Sequence, residues 1–220
     1  MRGIDLRVRH SANGRCSTFF QGGQETTSAL MSWALCYIAQ YPVWQERLRE
    51  EWLSAKAGAH ELESEQLDGL RYMDAFTREV LRLEPSIATT YREAAVDDVL
   101  PLSKPIRSRD GQWRDSIPVK RGQGFFISFA AFNRSHELFG KDADHFKPER
   151  WLEGTPDRLK RESVGVWSSI PSFSLGRRYC IGCGLSLRHQ HGTDMLPHSY
   201  KFALLEMKML VPLASWWRRS

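Results

Sequence analysis

The sequence predicts a mainly α-helical domain with a small β-sheet. In three segments between residues 22 and 85, apolar residues recur at spacings of three and four, the periodicity of amphipathic helices. After Pro85 the apolar residues form short extended runs, which turn residues such as Asp110 and Gly111 separate. This second pattern indicates strands, and it occupies a smaller part of the chain than the helical pattern.

The composition is that of a globular protein. The chain has 220 residues, of which 41% are hydrophobic, 26% charged and 11% aromatic. These fractions exclude the collagen-like, disordered and disulfide-scaffold classes. The net charge is +5, but the basic residues occur in scattered pairs such as Lys120 and Arg121, so we expect no nucleic-acid partner.

Cysteine usage and hydropathy bear on the compartment. The four cysteines, at positions 16, 36, 180 and 183, are too few and too unevenly spaced for a disulfide framework, which favours a reduced compartment. The sequence contains no run of about eighteen consecutive apolar residues, so no transmembrane segment is predicted. Residues 1–10 lack the apolar stretch of a signal peptide.

The helical half of the chain is divided by prolines. The first fifteen residues show no helical or strand period, so the first helix is predicted to open at Gly22–Thr27 and to end at Pro42. Proline is tolerated at the first helical position, so a second helix follows over 43–57. After a loop at 58–65, a third helix is predicted from about Gln66 until Pro85 stops it.

The rest of the chain is more irregular. Extended runs at 89–94 and 124–130 predict the small sheet. Residues 131–175 are rich in Pro, Gly and Asp and predict a long irregular segment packed over the core, and such long ordered loops are usually functional. Strong helix formers at 201–210 predict a last helix.

A ten-residue segment around Cys180 carries the strongest chemical signal. It reads Phe-Ser-Leu-Gly-Arg-Arg-Tyr-Cys-Ile-Gly over residues 173–182. Gly176 and Gly182 allow backbone N–H groups to approach the sulfur, and Arg178 supplies positive charge that favours a thiolate. The pattern therefore indicates a metal-ligating thiolate, although a lone cysteine is also compatible with a buried, inert thiol.

This segment resembles the haem-ligating loop of the cytochrome P450 monooxygenases, Phe-x-x-Gly-x-Arg-x-Cys-x-Gly, at every fixed position. The resemblance implies that Cys180 ligates the iron of haem b and that Phe173, Gly176 and Gly182 belong to the haem-binding loop. It also implies that Arg178 binds a haem propionate, since a guanidinium suits a carboxylate bidentately.

Further segments resemble the same family in the same order. Gly22–Thr27 resembles the oxygen-activation motif of the family's helix I, which implies catalytic, proton-relaying roles for Glu25 and Thr26. Taken alone, this segment also fits a helix N-terminus with threonine caps. Arg92 falls where family members often place a second propionate partner, although a solvated strand arginine is nearly as compatible with its position.

A structural triad is implied by two more matches. Glu79 and Arg82 resemble the family's Glu-x-x-Arg of helix K, and Arg150 lies in a segment that resembles the family's partner to that pair. The resemblance implies that the three side chains form a buried, mutually hydrogen-bonded group that locks the irregular segment over the haem. Without the resemblance, Glu79 and Arg82 would be read as a surface ion pair.

The resemblance implies a truncated cytochrome P450 fold of fungal-like, microsomal type, corresponding to helices I to L. It divides the chain into a non-matching segment 1–16 and a haem-binding part 17–220. Residues 183–200 form an atypical insert, because the family motif stops at Gly182 and resumes at Lys201. We hypothesise that this insert is a retained intron; it displaces the helix whose N-terminus would stabilise the thiolate.

The insert also permits a reading without the family. Cys180 and Cys183 form a Cys-x-x-Cys pair, followed by His189, His191 and His198, which are possible zinc ligands. Their spacing departs from that of zinc fingers, so an exposed loop explains these histidines better.

The function implied by the resemblance is the insertion of one oxygen atom from O2 into a small organic substrate. Two electrons would arrive from NADPH through a cytochrome P450 reductase. The alternatives are a non-catalytic truncated or mis-spliced family member and a zinc-binding interaction domain. The family is usually held at the endoplasmic reticulum by an anchor that this sequence lacks, so no localisation is predicted.

Overall fold

The computed structural model describes residues 6–57, 62, 64–154, 159, 170–174, 180 and 206–208, with side chains from Phe20 onward except at 64–65. The helices are α1 (Leu6–Gln40), α2 (Pro42–Lys56), α3 (Ser64–Asp68), α4 (Arg71–Leu83), α5 (Phe129–Asn133) and α6 (His136–Phe139). The strands are β1 (Thr89–Glu93), β2 (Asp98–Arg107), β3 (Trp113–Val119) and β4 (Gly124–Ser128). Two 3-10 helices cover Pro148–Trp151 and Pro171–Phe173. The prediction of a mainly helical fold with little sheet is confirmed.

The chain divides into two units. The first contains the described residues before Thr89 and after Phe129, and the second is Thr89–Phe129. The hydrophobic core of the first unit lies where α1, α2 and α4 pack together. The apolar residues that face this core recur every three or four positions in each helix: Leu30, Ala34 and Ile38 in α1, Trp44 and Leu48 in α2, and Met73, Phe76 and Val80 in α4.

Helix α4 is the most buried of these helices. Its last five residues, 79–83, are all buried, so the helix has no solvent face there. Glu79 and Arg82 therefore enter the core together with the apolar residues around them. Nearby, the Tyr37 ring stacks on Phe146 with centroids 4.1 Å apart, and its hydroxyl donates to Glu84 Oε1 at 3.1 Å. Burial raises the pKa of Tyr37 above its ordinary value.

The start of α1 corrects the sequence prediction. The helix begins at Leu6, and Gly22–Thr27 lies in its interior instead of opening it. Thr26 is consequently no cap: its Oγ1 donates to the carbonyl oxygen of Gly22, one turn earlier, at 2.6 Å. The amphipathic period is absent before residue 20, but residues 6–21 contain no proline and a single glycine, so nothing in that stretch terminates a helix.

The predicted third helix is also wrong in part, because it is two helices. The chain turns at Gly69, where α3 ends, and α4 starts at Arg71. The first N–H groups of α4 bond to another helix: Glu51 of α2 accepts from the N–H of Tyr72 at 2.7 Å and of Met73 at 2.8 Å. Burial raises the pKa of the Glu51 carboxyl. A cap supplied by a distant helix has no signature in the local sequence.

The second unit contains two antiparallel pairs. Strand β1 pairs with β4, as the two extended runs predicted, and β2 pairs with β3 in a hairpin that the sequence analysis missed. Pro101, Pro105 and Pro118 interrupt the strand pattern, but each strand of a two-stranded hairpin has an unpaired edge where proline is tolerated. Residues 108–111 form the turn, in which the N–H of Gly111 donates to the carbonyl oxygen of Ser108 at 2.9 Å, and Gly111 has a φ of 81°.

The remaining predictions have mixed outcomes. The segment predicted as irregular from 131 is in part helical, with α5, α6 and the two 3-10 helices. Residues 206–208 are helical, and the rest of the predicted last helix lies outside the described residues. No helix in the described part of the chain is both long and apolar enough to cross a membrane.

We expect Glu51→Ala to lower the free energy of unfolding by about 1–2 kcal/mol, because two N–H groups at the start of α4 lose their acceptor. Urea unfolding followed by circular dichroism measures this change. Glu50→Ala, which removes the neighbouring exposed carboxylate, is the matched control and should have little effect. Equal effects of the two variants would contradict the capping role.

Candidate functional site

The side chain of Glu79 is the centre of a buried polar network. Its Oε1 accepts from Arg82 Nη2 at 2.8 Å, from Arg150 Nε at 3.0 Å and from the N–H of Lys147 at 2.8 Å. Its Oε2 accepts from Arg82 Nε at 2.9 Å and from Trp151 Nε1 at 2.8 Å. Glu79 is fully buried, so these five donors replace the water that an ionised carboxylate requires.

The guanidinium of Arg82 likewise uses all of its hydrogen-bond donors. Beyond its two bonds to Glu79, Nη1 donates to the carbonyl oxygens of Asn133 at 2.7 Å and Ala143 at 2.5 Å. Nη2 donates to the carbonyl oxygen of His145 at 3.1 Å. All five N–H groups of this fully buried side chain are therefore used, and three of them hold backbone far from α4 in the sequence.

Arg150 brings a second cation to the same carboxylate. Its side chain is 8% exposed; Nη2 donates to the carbonyl oxygen of Asp142 at 3.0 Å, and Nη1 lies 3.4 Å from Asp142 Oδ1. The hydrogen bond from Lys147 Nζ, at 2.7 Å, and the nearby charge of Arg150 hold the pKa of Asp142 below its usual range. The structure thus brings Glu79, Arg82 and Arg150 together in one group.

A second set of contacts connects this network to the segment that precedes Cys180. The Ser172 hydroxyl donates to the carbonyl oxygen of Leu81 in α4 at 2.8 Å and accepts from Asn133 Nδ2 at 3.1 Å. Asn133 is fully buried, and its carbonyl oxygen is one of the acceptors of Arg82. The 3-10 helix Pro171–Phe173 is thereby attached to the same buried network.

Phe173 and Cys180 are linked directly. Phe173 packs against the hydrophobic core, and its carbonyl oxygen accepts from the N–H of Cys180 at 2.9 Å. Ser174, next to Phe173, has a φ of 62° and a ψ of −170°, a backbone conformation that residues with a side chain rarely adopt. Cys180 is therefore held by the backbone close to the anchored 3-10 helix.

The thiol of Cys180 is free and partly exposed. An axial thiolate ligand needs a sulfur that is in no disulfide and can be reached by a metal, so the chemistry of this donor fits a haem iron. The other loop residues of the prediction, Gly176, Arg178 and Gly182, lie outside the described residues.

No observation on the described residues supports the zinc alternative. Within the described ranges, no three His, Cys, Asp or Glu side chains converge to hold a metal ion. The residues on which that reading depends, Cys183, His189, His191 and His198, lie outside those ranges.

Thr26 is held in the middle of α1 from two sides. Its hydroxyl donates to the Gly22 carbonyl oxygen, and its own carbonyl oxygen accepts from Ser86 Oγ at 2.8 Å. Glu25 is exposed at the helix surface, whereas the next residue, Thr27, is buried. The hydroxyl proton of Thr26 is committed to Gly22, which leaves its oxygen lone pairs available as acceptors.

Arg92 lies in β1 of the second unit. Its Nη1 donates to Thr90 Oγ1 at 2.7 Å and to the carbonyl oxygen of Tyr91 at 2.8 Å. In the described contacts, the guanidinium thus binds residues of its own strand.

The sequence analysis missed three residues of the site, Asn133, Ser172 and Trp151. Asn133 and Ser172 join the buried network to the segment before Cys180, but each is a lone polar residue outside any recognised motif. Trp151 stood beside Arg150 in the sequence, and its indole N–H had no predicted partner. A large amphipathic side chain in a segment of turns is the one signal that could have indicated its burial.

Comparison with known proteins shows the family of the chain. The chain matches the family model described as Cytochrome P450 over residues 10–190. Cytochrome P450 monooxygenase 91 of Postia placenta is 39% identical over 199 residues, which are 90% of this chain and 34% of that protein. Cytochrome P450 monooxygenase claP of Ampulloclitocybe clavipes is 38% identical over 82% of this chain and 34% of its own length.

A third relative, a ganoderic acid synthetase of Ganoderma lucidum, is 37% identical over 90% of this chain and 34% of its own length. The residues of the buried network, together with Phe173 and Cys180, lie within the matched range 10–190. The chain belongs to the cytochrome P450 family. It spans about a third of the length of the curated relatives that it matches.

Glu79→Ala should lower the free energy of unfolding by about 3–5 kcal/mol, because Arg82 and Arg150 would remain buried without their carboxylate. The control is Asp74→Ala, which removes a partly exposed i,i+4 partner of Arg78 on the same helix and should cost below about 1 kcal/mol. Denaturant midpoints of the purified variants compare the two costs. A loss for Glu79→Ala no larger than for the control would contradict the network's importance.

Asp142→Asn should destabilise the protein at neutral pH, and the difference from wild type should vanish in acid. The folded-state pKa of Asp142 lies below the ordinary value of 3.8, so its stabilising contribution is present above that value and is lost as the pH falls through the folded-state pKa. Unfolding free energies measured across this range test the sign. Asp98→Asn, at an exposed aspartate of β2, serves as control. A difference in unfolding free energy between Asp142→Asn and wild type that persists at the acid end would overturn the assignment.

Proposed function

We propose that this chain is the haem-binding part of a haem-thiolate monooxygenase that inserts one oxygen atom from O2 into a small organic substrate. The observation that carries the proposal is the family match over residues 10–190, which includes Cys180, a free and partly exposed thiol. The printed names of the relatives as monooxygenases support the reaction class.

The proposed ligand of haem b is the thiolate of Cys180, with Arg178 bound to a propionate and Phe173, Gly176 and Gly182 in the surrounding loop. Arg92 is proposed as a second propionate partner. A thiolate-ligated haem, when bound, supplies O2 activation with electrons that we propose come from NADPH through a cytochrome P450 reductase. With haem bound, Cys180 would contribute electron density to the iron, and Arg178 and Arg92 would neutralise the propionate carboxylates.

We further propose that Thr26 and Glu25 handle protons. The hydroxyl proton of Thr26 is held on the Gly22 carbonyl oxygen, so Oγ1 presents lone pairs to a protonated ligand. Glu25 is the neighbouring exposed carboxylate, which can take up protons from water and pass them on. These two residues would act together as general acid and base groups.

Glu79, Arg82 and Arg150 have a structural role in this proposal. They bind the backbone at 133, 143, 145 and 147, and Asn133 and Ser172 carry the same constraint to the segment before Cys180. A loop that bears a metal ligand holds that ligand in a better defined position when fixed side chains support the loop. The proposed division of the chain stays as residues 1–16 and 17–220, with the insert at 183–200.

Cys180→Ala should abolish the thiolate signature in the absorption spectrum of the haem-reconstituted protein after reduction and exposure to carbon monoxide. A thiolate-ligated haem has its Soret band to the red of a histidine-ligated one, so wild type should show the red-shifted band. Cys36→Ala is the matched control, because Cys36 is the other described free cysteine and lies exposed on α1.

The red-shifted band in wild type and Cys36→Ala, but not in Cys180→Ala, would support the proposal. A band that Cys180→Ala leaves unchanged would overturn the ligand assignment. Failure of wild type to take up haem would favour the second hypothesis, a family member that does not catalyse oxygen insertion. Stoichiometric zinc without haem would favour the interaction domain.

A further inference from the structure

The hydroxyl of Ser172 joins the segment before Cys180 to helix α4. Its Oγ donates to the carbonyl oxygen of Leu81 at 2.8 Å and accepts from Nδ2 of Asn133 at 3.1 Å. A serine hydroxyl has a single proton, and a carbonyl oxygen can only accept, so the bond to Leu81 uses that proton. The side-chain amide of Asn133 is therefore the donor of the second bond, and the directions of both bonds are determined.

The carbonyl oxygen of Leu81 needs this donor because of a proline. In an α-helix, this oxygen would accept from the N–H of the residue four positions later, which is Pro85 and has no N–H. The preceding carbonyl oxygen, that of Val80, still accepts from the N–H of Glu84 at 2.8 Å. Leu81 is buried, so water is a poor substitute for the missing donor. Ser172 supplies the hydrogen bond that Pro85 cannot.

The side chain of Asn133 depends on the same hydroxyl. Asn133 is fully buried, and within the described part of the chain its Oδ1 has no hydrogen-bond partner. Its Nδ2 is therefore the atom through which this amide is paired, and Ser172 is the partner. Without the hydroxyl, both polar ends of a buried amide would be unpaired, which is costly because neither end can reach water. The link thus requires a hydroxyl at position 172.

A short path leads from Ser172 to the backbone of Cys180. The next residue, Phe173, ends the 3-10 helix that contains Ser172, and its carbonyl oxygen accepts from the N–H of Cys180 at 2.9 Å. Ser174 follows with its φ of 62°, a conformation that persists only where the surrounding structure holds it. The Ser172 bond connects this arrangement, and with it the backbone of Cys180, to α4.

We propose that Ser172 is a positioning residue for Cys180, and that its hydroxyl sets where the sulfur lies relative to α4. The inference rests on the proposed function, in which Cys180 is the axial ligand of a haem iron. Groups that orient a metal ligand commonly change metal binding by about tenfold or more when they are removed. A loop released from α4 would place the sulfur less precisely, so part of the bound haem would lack the thiolate.

The first test needs no haem. Hydrogen exchange of the Cys180 N–H in the full chain, followed by mass spectrometry with fragmentation, measures how often its bond to Phe173 opens. In Ser172→Ala this amide should exchange about tenfold faster than in wild type, because the segment loses its bond to α4. Ser172→Thr keeps the hydroxyl, and its Cys180 amide should exchange at nearly the wild-type rate.

The second test is the absorption spectrum of the haem-reconstituted variants after reduction and exposure to carbon monoxide. In Ser172→Ala, the ratio of haem with the red-shifted Soret band to haem without it should fall about tenfold, and Ser172→Thr should restore it. Asn133→Ala removes the other half of the link and should have the same effect, which tests the prediction should Ser172→Ala fail to fold. The double variant should show no lower ratio than either single variant, since both act through one link.

Glu51→Ala is the matched control, because it removes hydrogen bonds at the other end of α4 and should cost comparable stability. It should change neither the exchange of the Cys180 amide nor the Soret ratio. The proposal is overturned if Ser172→Ala matches wild type, or if Glu51→Ala alters both readouts as much as Ser172→Ala does. Failure of wild type to take up haem would contradict the proposed function, while the exchange rates would still decide whether Ser172 holds Cys180 in place.

Discussion

The carboxylate of Glu79 is the constraint on which the larger unit depends. A buried carboxylate and two buried guanidiniums are costly unless every donor and acceptor is used, and here five donors meet the two oxygens of Glu79. Asp142 adds a second negative charge beside Arg150, so the two cations face two anions. The network is tolerated in the core because it is complete, and one missing member would leave a charge that no other group can solvate.

The same constraint explains how residues 134–154 can be ordered although α6 and one 3-10 helix are their only regular elements. Most helices and strands pair their backbone groups with one another. In this segment, arginine side chains donate hydrogen bonds to the carbonyl oxygens of Phe139, Asp142, Ala143 and His145. Ser172 and Asn133 then extend the anchored region to the segment before Cys180. Hydrogen bonds thus connect the buried network to the segment that precedes the proposed haem ligand.

The second unit is stabilised by different interactions from those of the first. Its two strand pairs are narrow, so the sheet leaves large apolar side chains such as Trp113 and Phe126 exposed, and its stability depends on turns and cross-strand pairs. Tyr91 packs its ring edge-on against Phe126 and closely over Gly124, where a side chain would collide with the phenol.

The sequence by itself determined the features whose causes are local. Pro42 separates α1 from α2 and Pro85 follows α4, because proline geometry acts over a few residues. The motif around Cys180 is equally local, and the thiolate site that it indicates stays a prediction. The start of α1 and the strands β2 and β3 were missed, since no amphipathic period marks the former and prolines mask the latter. The resemblance implied the grouping of Glu79, Arg82 and Arg150, but only the tertiary structure decided which other groups satisfy these side chains. The other partners of Glu79 and Arg82 lie 51 to 72 residues away, and burial, not sequence spacing, selects them.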